Sequence, residues 1–170
     1  MTDRIMVDIE TLGTEPGAAI VAIGAVRFGL DGVADTFEAD VSLADCQSHG
    51  LEIDAETLSW WLNQPACARE QLHGGIALER ALRDFSEFVG DDAEVWANSP
   101  AFDCVLLREA YDAVGLSCPW QYYQERDYRT MRETLAAWPD REHDGVEHDG
   151  LDDARFQAEC VIDALREVGE

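Results

Sequence analysis

Several acidic residues in this chain stand at spacings that can hold a hard cation. In VDIET, residues 7–11, Asp8 and Glu10 lie two positions apart near the end of an apolar run. Strand alternation puts both on one face, where paired carboxylates need hydration or a cation that takes oxygen ligands. Asp103 sits in NSPAFDCVLL (98–107), in the first turn of a helix expected after a strand. HDGLDDA (148–154) carries His148, Asp149, Asp152 and Asp153. Three like charges this close repel unless something positive lies between them. Each group also has a plain structural reading. Asp8 and Glu10 suit the solvent face of a strand end, and Asp103 suits a helix dipole. Asp149 suits an N-cap with Asp152 and Asp153 in the turn behind it. An imidazole suits proton transfer near neutral pH, but taken alone His148 is a loop histidine like His143.

The elements that would position these groups follow from periodicity. RIMVDIE (4–10), AAIVAIGAVRF (18–28) and VADTFEADV (33–41) read as three strands joined by the turns TEPG and LDG, an antiparallel meander. Residues 54–64 and 76–90 read as helices, the first behind Asp54 and the second stopped by Gly90. AEVWAN (93–98) reads as a strand, and 101–115 and 151–169 as helices. Strands first, then strand and helix in alternation, imply an α/β fold with a mixed sheet flanked by helices. In the last helix Asp152 and Asp153 differ by about 100°. The stripe through Phe156, Cys160, Val161 and Ala164 runs through Asp153, with Asp152 toward its edge and four residues before Phe156, so phase alone leaves both near the buried side.

Composition sets limits. The 170 residues are 46% hydrophobic with no linker-like tract, as expected for one domain over 1–170. There is no apolar run of membrane-spanning length and no leader pattern, so a cytoplasmic protein without a membrane partner is expected. Five scattered cysteines with no C-x-x-C imply reduced thiols. Thirty-six acids face 12 arginines and no lysine, giving a formal charge of -24, so a general basic nucleic-acid footprint is absent. Such a surface suits a high-salt cytoplasm. The run 140–151 begins like a calcium loop, but Leu151 stands where the bidentate glutamate belongs.

The order of the acidic groups is more specific than any one of them. D-x-E on the first strand, an aspartate after the fourth strand and H-x4-D at the last helix resemble the DEDD exonuclease superfamily in its histidine-containing branch (DEDDh). The stretches DIETLGTEPGAAIVAIGAVRF, DAETLSWWLNQ, NSPAFDCVLLREAY and HDGLDDARFQA look like the compact group of DexA-type phage exonucleases and RNase AS-like exoribonucleases. The chain differs from that group's pattern at WANSPAFD, with less glycine, and at Asp149 and Gly150. The resemblance implies an RNase H-like five-stranded sheet, an antiparallel meander plus parallel strands. It implies two divalent cations, Mg or Mn, held by Asp8, Glu10, Asp103 and Asp153, with His148 as general base. The activity implied is 3'-to-5' release of nucleoside monophosphates from the 3' end of single-stranded RNA, with single-stranded DNA as the alternative substrate. A homodimer is compatible with it, and an inert nucleic-acid-binding module is the competing class. Thr11, Leu12, Trp61, Phe102 and Arg126 are the expected substrate contacts. One of the adjacent Trp60 and Trp61 belongs to the core, since helical geometry separates them. Arg126, Arg129 and Arg132 share a helical spacing that suits either phosphates or a salt-bridged face.

Overall fold

The computed structural model describes residues 3–135, 138–146 and 148–169. Its first strand, β1 (Arg4–Thr11), shows how one alternating sequence serves two layers. Ile5, Val7 and Ile9 enter a core on one face of the sheet, whereas Met6 enters a second core on the other. Asp8 and Glu10 continue the Met6 side, so the two carboxylates emerge where the second core ends.

β1 pairs antiparallel with β2 (Ile20–Gly29), which pairs antiparallel with β3 (Gly32–Asp40). On its other edge β1 runs parallel to β4 (Glu94–Ala97), and β4 runs parallel to β5 (Glu125–Asp127). The sheet order is β3-β2-β1-β4-β5, the mixed RNase H-like arrangement. A strand was expected at 93–98, but β5 has no apolar alternation to announce it: its three residues are Glu, Arg and Asp.

Helices α1 (Leu43–Ser48), α2 (Ala55–Leu62) and α3 (Ala66–Arg69) follow β3, with Asp54 capping α2 through the Thr57 N–H. α4 (Leu78–Val89) buries Leu78, Ala81, Leu82, Phe85 and Val89, a helical stripe that packs on the Ile5 face. α5 (Asp103–Ala113) adds Leu106, Leu107 and Tyr111 to the same core. After β5 comes α6 (Tyr128–Thr134), and α7 (Gly150–Val168) closes the opposite face. Ala154, Ala158, Val161 and Ile162 of α7 meet Met6, Val26 and Phe28 there.

One close approach fixes α7. Gly24 lies opposite Asp8 across the β1–β2 ladder, and a Cβ at Gly24 would sit 2.1 Å from the Gly150 carbonyl carbon. Only a glycine lets the start of α7 touch the sheet at that point. The five cysteines are free thiols. Among the described residues no helix is long and apolar enough to cross a membrane.

Candidate active site

β1, β4 and β5 point the same way, and the chemistry collects at their carboxyl ends. A cleft of about 680 Å³ opens there, lined by Asp8, Glu10, Asp103, His148 and Asp153 among others. Asp103 opens α5 and is 4% exposed. β4 ends its pairing with β1 at Met6, so the Ile9 N–H has no strand partner on that side. The Asp103 carboxylate accepts it at 3.4 Å and accepts the Ser99 N–H at 3.4 Å. Asp8 accepts a 2.8 Å bond from Gln157 Nε2 of α7. Gln157 is buried, and its Oε1 has no partner.

Asp149 caps α7 through the Asp152 N–H, and Asp153 turns into the cleft. Its Oδ2 accepts the His148 N–H at 3.2 Å, and its Oδ1 meets His143 Nε2 at 2.7 Å. Asp152 points elsewhere: its Oδ2 accepts the Val146 N–H at 2.8 Å, so it orders the loop instead of standing idle at the helix dipole. His148 has φ 65°, a left-handed conformation uncommon outside glycine. It is held by its N–H on Asp153, by a 2.5 Å bond from Gln71 Nε2 to its carbonyl and by the Trp60 ring, edge-on at 4.9 Å. Strained backbone persists where its surroundings over-determine it, as at active sites. Ligand atoms of Glu10, His148 and Asp153 lie within 4.8 Å of one another.

Electrostatics match this crowding. Burial, then the Asp103 and Glu10 charges, hold the Asp8 carboxyl well above its usual range against the Gln157 bond. Burial pushes Glu10 to about 8, with Asp153 and Asp103 adding to it. Burial likewise raises Asp103 to about 6, against the Ser99 and Ile9 N–H groups, and raises Asp153 against His143. Among the described residues none of Asp8, Glu10 and Asp103 is in an ion pair with an arginine, although the Arg129 charge favours ionised Asp103. Crowded, poorly solvated carboxylates with no arginine paired to Asp8, Glu10 or Asp103 are a donor set that fits divalent cations.

The expected substrate contacts divide. Phe102 lines the main cleft and, with Thr11, a neighbouring cleft of about 470 Å³. Leu12 does not reach either one: β1 ends at Thr11, and past the strand end Leu12 bends into the core, fully buried. Trp61 belongs to the core, 1% exposed with its Nε1 donating to the Thr11 carbonyl at 2.9 Å, and it forms part of the wall of the neighbouring cleft. The exposed ring of the pair is Trp60, 43% exposed. Arg126 is turned away, tied to Glu94 at 2.6 Å and to the Tyr123 and Glu125 carbonyls. Arg129 and Arg132 line the cleft in its place. The sequence reading also passed over Gln157, whose position on the Asp8 side of α7 was available from helical phase, and His143. Nothing in the sequence around His143 signals its contact with Asp153.

The model of the Rv2179c-like 3'-5' exoribonuclease domain family matches residues 3–165. The chain belongs to that family. By that description it is a 3'-5' exonuclease. A comparison with curated proteins gives no match. Among solved structures, the nuclease domain of 3'hExo, a DEDDh family member bound to rAMP, superposes with a TM-score of 0.65 at 15% identity, over 97% of this chain and 92% of that one. The zinc-bound E. coli ExoI-ssDNA complex gives 0.69 at 17% identity, over 100% of this chain and 41% of that one. A full-length 3'-exonuclease gives 0.64 at 14% identity, over 98% and 82%. The chain thus spans less than half of ExoI, and at these identities the likeness is one of fold.

Proposed function

We propose that residues 1–170 form one exonuclease domain that removes nucleoside monophosphates from the 3' end of single-stranded nucleic acid, RNA favoured, in a reducing cytoplasmic setting. The carrying observation is that Asp8, Glu10, Asp103 and Asp153 converge from β1, α5 and α7 in one cleft with His148 beside them. In this reading the four carboxylates hold two divalent cations, Mg or Mn, which together neutralise them and leave room for an anionic substrate. Bound there, the cations supply Lewis acidity, easing deprotonation of water and carrying charge on the leaving oxygen.

The chain's own residues do the rest. Gln157 fixes the Asp8 carboxylate, and the Ile9 and Ser99 N–H groups fix Asp103. His148, oriented by Trp60 and Gln71, takes a proton from the attacking water. The new O–P bond forms as the bond from phosphorus to the 3' oxygen of the preceding nucleotide breaks. The products are a nucleoside 5'-monophosphate and a shorter strand with a 3' hydroxyl. All these groups belong to one chain, so the chemistry asks for no second copy. RNA is favoured on the description of the matched exoribonuclease family.

The test is incubation of 5'-labelled single-stranded RNA and DNA of one sequence with Mg, Mn or chelator. A ladder shortening from the 3' end, faster on RNA and absent in chelator, is expected. No monophosphate release with either cation would overturn the reading, and a faster DNA ladder would reverse the substrate preference.

A further inference from the structure

A strand of phosphodiesters must find cations on a surface that has very few to offer. The chain has 12 arginines and no lysine against 36 acids. Eight of those arginines are in ion pairs with carboxylates. Among the described residues Arg69, Arg129, Arg132 and Arg155 are not, and two of these four line the same cleft as Asp8 and Asp103. Arg129 and Arg132 are exposed and lie three residues apart, on one side of α6. The fold aims them. The Arg129 N–H bonds the Asn98 carbonyl at 3.3 Å, just past β4, and thereby sits at the sheet end that carries Asp103. The Arg132 guanidinium lies 5.8 Å from the ring centre of Tyr128, a residue anchored in the second core.

Charge also selects a direction. On the α2 side of Glu10 the neighbouring cleft is lined by Thr11, Thr57, Trp60 and Phe102, but also by Asp54 and Glu56, and among the described residues no basic side chain lines it. That side can take a nucleoside, since aromatic rings stack on bases, but it repels a continuing line of phosphates. We propose that Arg129 and Arg132 form a two-phosphate clamp for the strand upstream of the scissile linkage, so that single-stranded nucleic acid enters across α6. The clamp rests on the exonuclease reading and adds the path of the substrate to it. Salt-bridged Arg126, one turn earlier in sequence, has no part in it.

The test compares wild type with Arg129→Gln, Arg132→Gln, the double variant and Arg126→Gln on a short single-stranded oligoribonucleotide. Melting temperatures confirm folding, which exposed and unpaired arginines leave intact. Each clamp variant should raise KM about tenfold with kcat within about twofold, a loss of contacts made before and during the chemical step. For single strands, log affinity falls with log salt by about 0.7 per phosphate contact, so log kcat/KM should fall with a slope of about -1.4 in wild type and near zero in the double variant. Arg126→Gln should match wild type. Unchanged KM and salt slope in the double variant would overturn the clamp, as would an equal loss in Arg126→Gln. Fluorescence anisotropy of the same labelled oligonucleotide separates this from the parent reading. If no strand is cleaved, the exonuclease reading falls, and arginine-dependent binding upholds the clamp while arginine-independent binding overturns it.

Discussion

Replacing Glu10 by glutamine keeps the side chain's shape and removes its charge, which isolates the cost of ionising a carboxyl in this cleft. Burial and the Asp153 and Asp103 charges raise Glu10 from 4.5 to about 8. The folded chain therefore holds this proton more tightly than the unfolded chain does. Stability from the group is complete below pH 4.5 and is lost as pH rises through about 8. At 1.36 kcal/mol per pH unit the full loss is about 5 kcal/mol, a ceiling that water entering the cleft reduces. Glu10→Gln escapes that loss. In chelator at pH 9 it should melt above wild type by about 5–10 °C for half the ceiling, at about 2–4 °C per kcal/mol, and near pH 4.5 the two should coincide. Added Mg or Mn should reverse the order, because only wild type keeps the full ligand set and gains stability by mass action. The assay is thermal melting across pH with and without cation, with the exposed Glu87→Gln as control for net charge. A variant that melts at or below wild type at pH 9 without metal, or gains equally at every pH, would refute the reasoning.

Other substitutions probe the remaining supports. Asp153→Asn should lose activity by several orders of magnitude while Asp152→Asn, which keeps an acceptor for the Val146 N–H, retains most of its kcat/KM; the opposite pattern would mean that α7 presents the wrong aspartate. His143→Ala should raise the half-saturating cation concentration in melting titrations by about 10–100-fold, as loss of a ligand's supporting hydrogen bond does, and His143→Gln should recover most of it; equal values for wild type and Ala would remove His143 from the site. Gly24→Ala must displace the start of α7, because its Cβ would lie 2.1 Å from backbone. A cost of about 1–3 kcal/mol is expected from that overpacking, with turnover down about 100-fold as Asp153 and His148 shift; unimpaired turnover would show that α7 need not touch β2 so closely.

How much of this was legible in sequence depended on whether spacing or tertiary context set the answer. Asp8 and Glu10 share a face because strand alternation requires it, and Met6 before them shows which face. The expected meander, the helix behind Asp54 and the Gly90 stop match β1–β3, α2 and α4, since apolar periodicity and capping are local signals. β5 was not legible, because three charged residues join the sheet only through the pairing that β4 offers. Leu12 was expected at the substrate from the resemblance alone, and it joins the core cluster that holds Ile9 because β1 ends at Thr11 and the chain bends there. Trp60 and Trp61 had to differ in exposure, and only packing of α2 on the Thr11 carbonyl decides which is buried. His143, in a loop, and Arg126, in the short strand β5, show the same dependence, since one ion pair decides where each side chain points.

The central claim is hydrolysis of the 3'-terminal phosphodiester by the cation-loaded carboxylate cleft, and heavy-oxygen water tests it most directly. With single-stranded RNA, the enzyme and Mg or Mn in labelled water, mass spectrometry should find one heavy oxygen in the phosphate of each released nucleoside 5'-monophosphate and none in the 3' hydroxyl of the shortened strand. Label in the strand, release of 3'-phosphates or cyclic phosphates, or equal release from Asp153→Asn would contradict it.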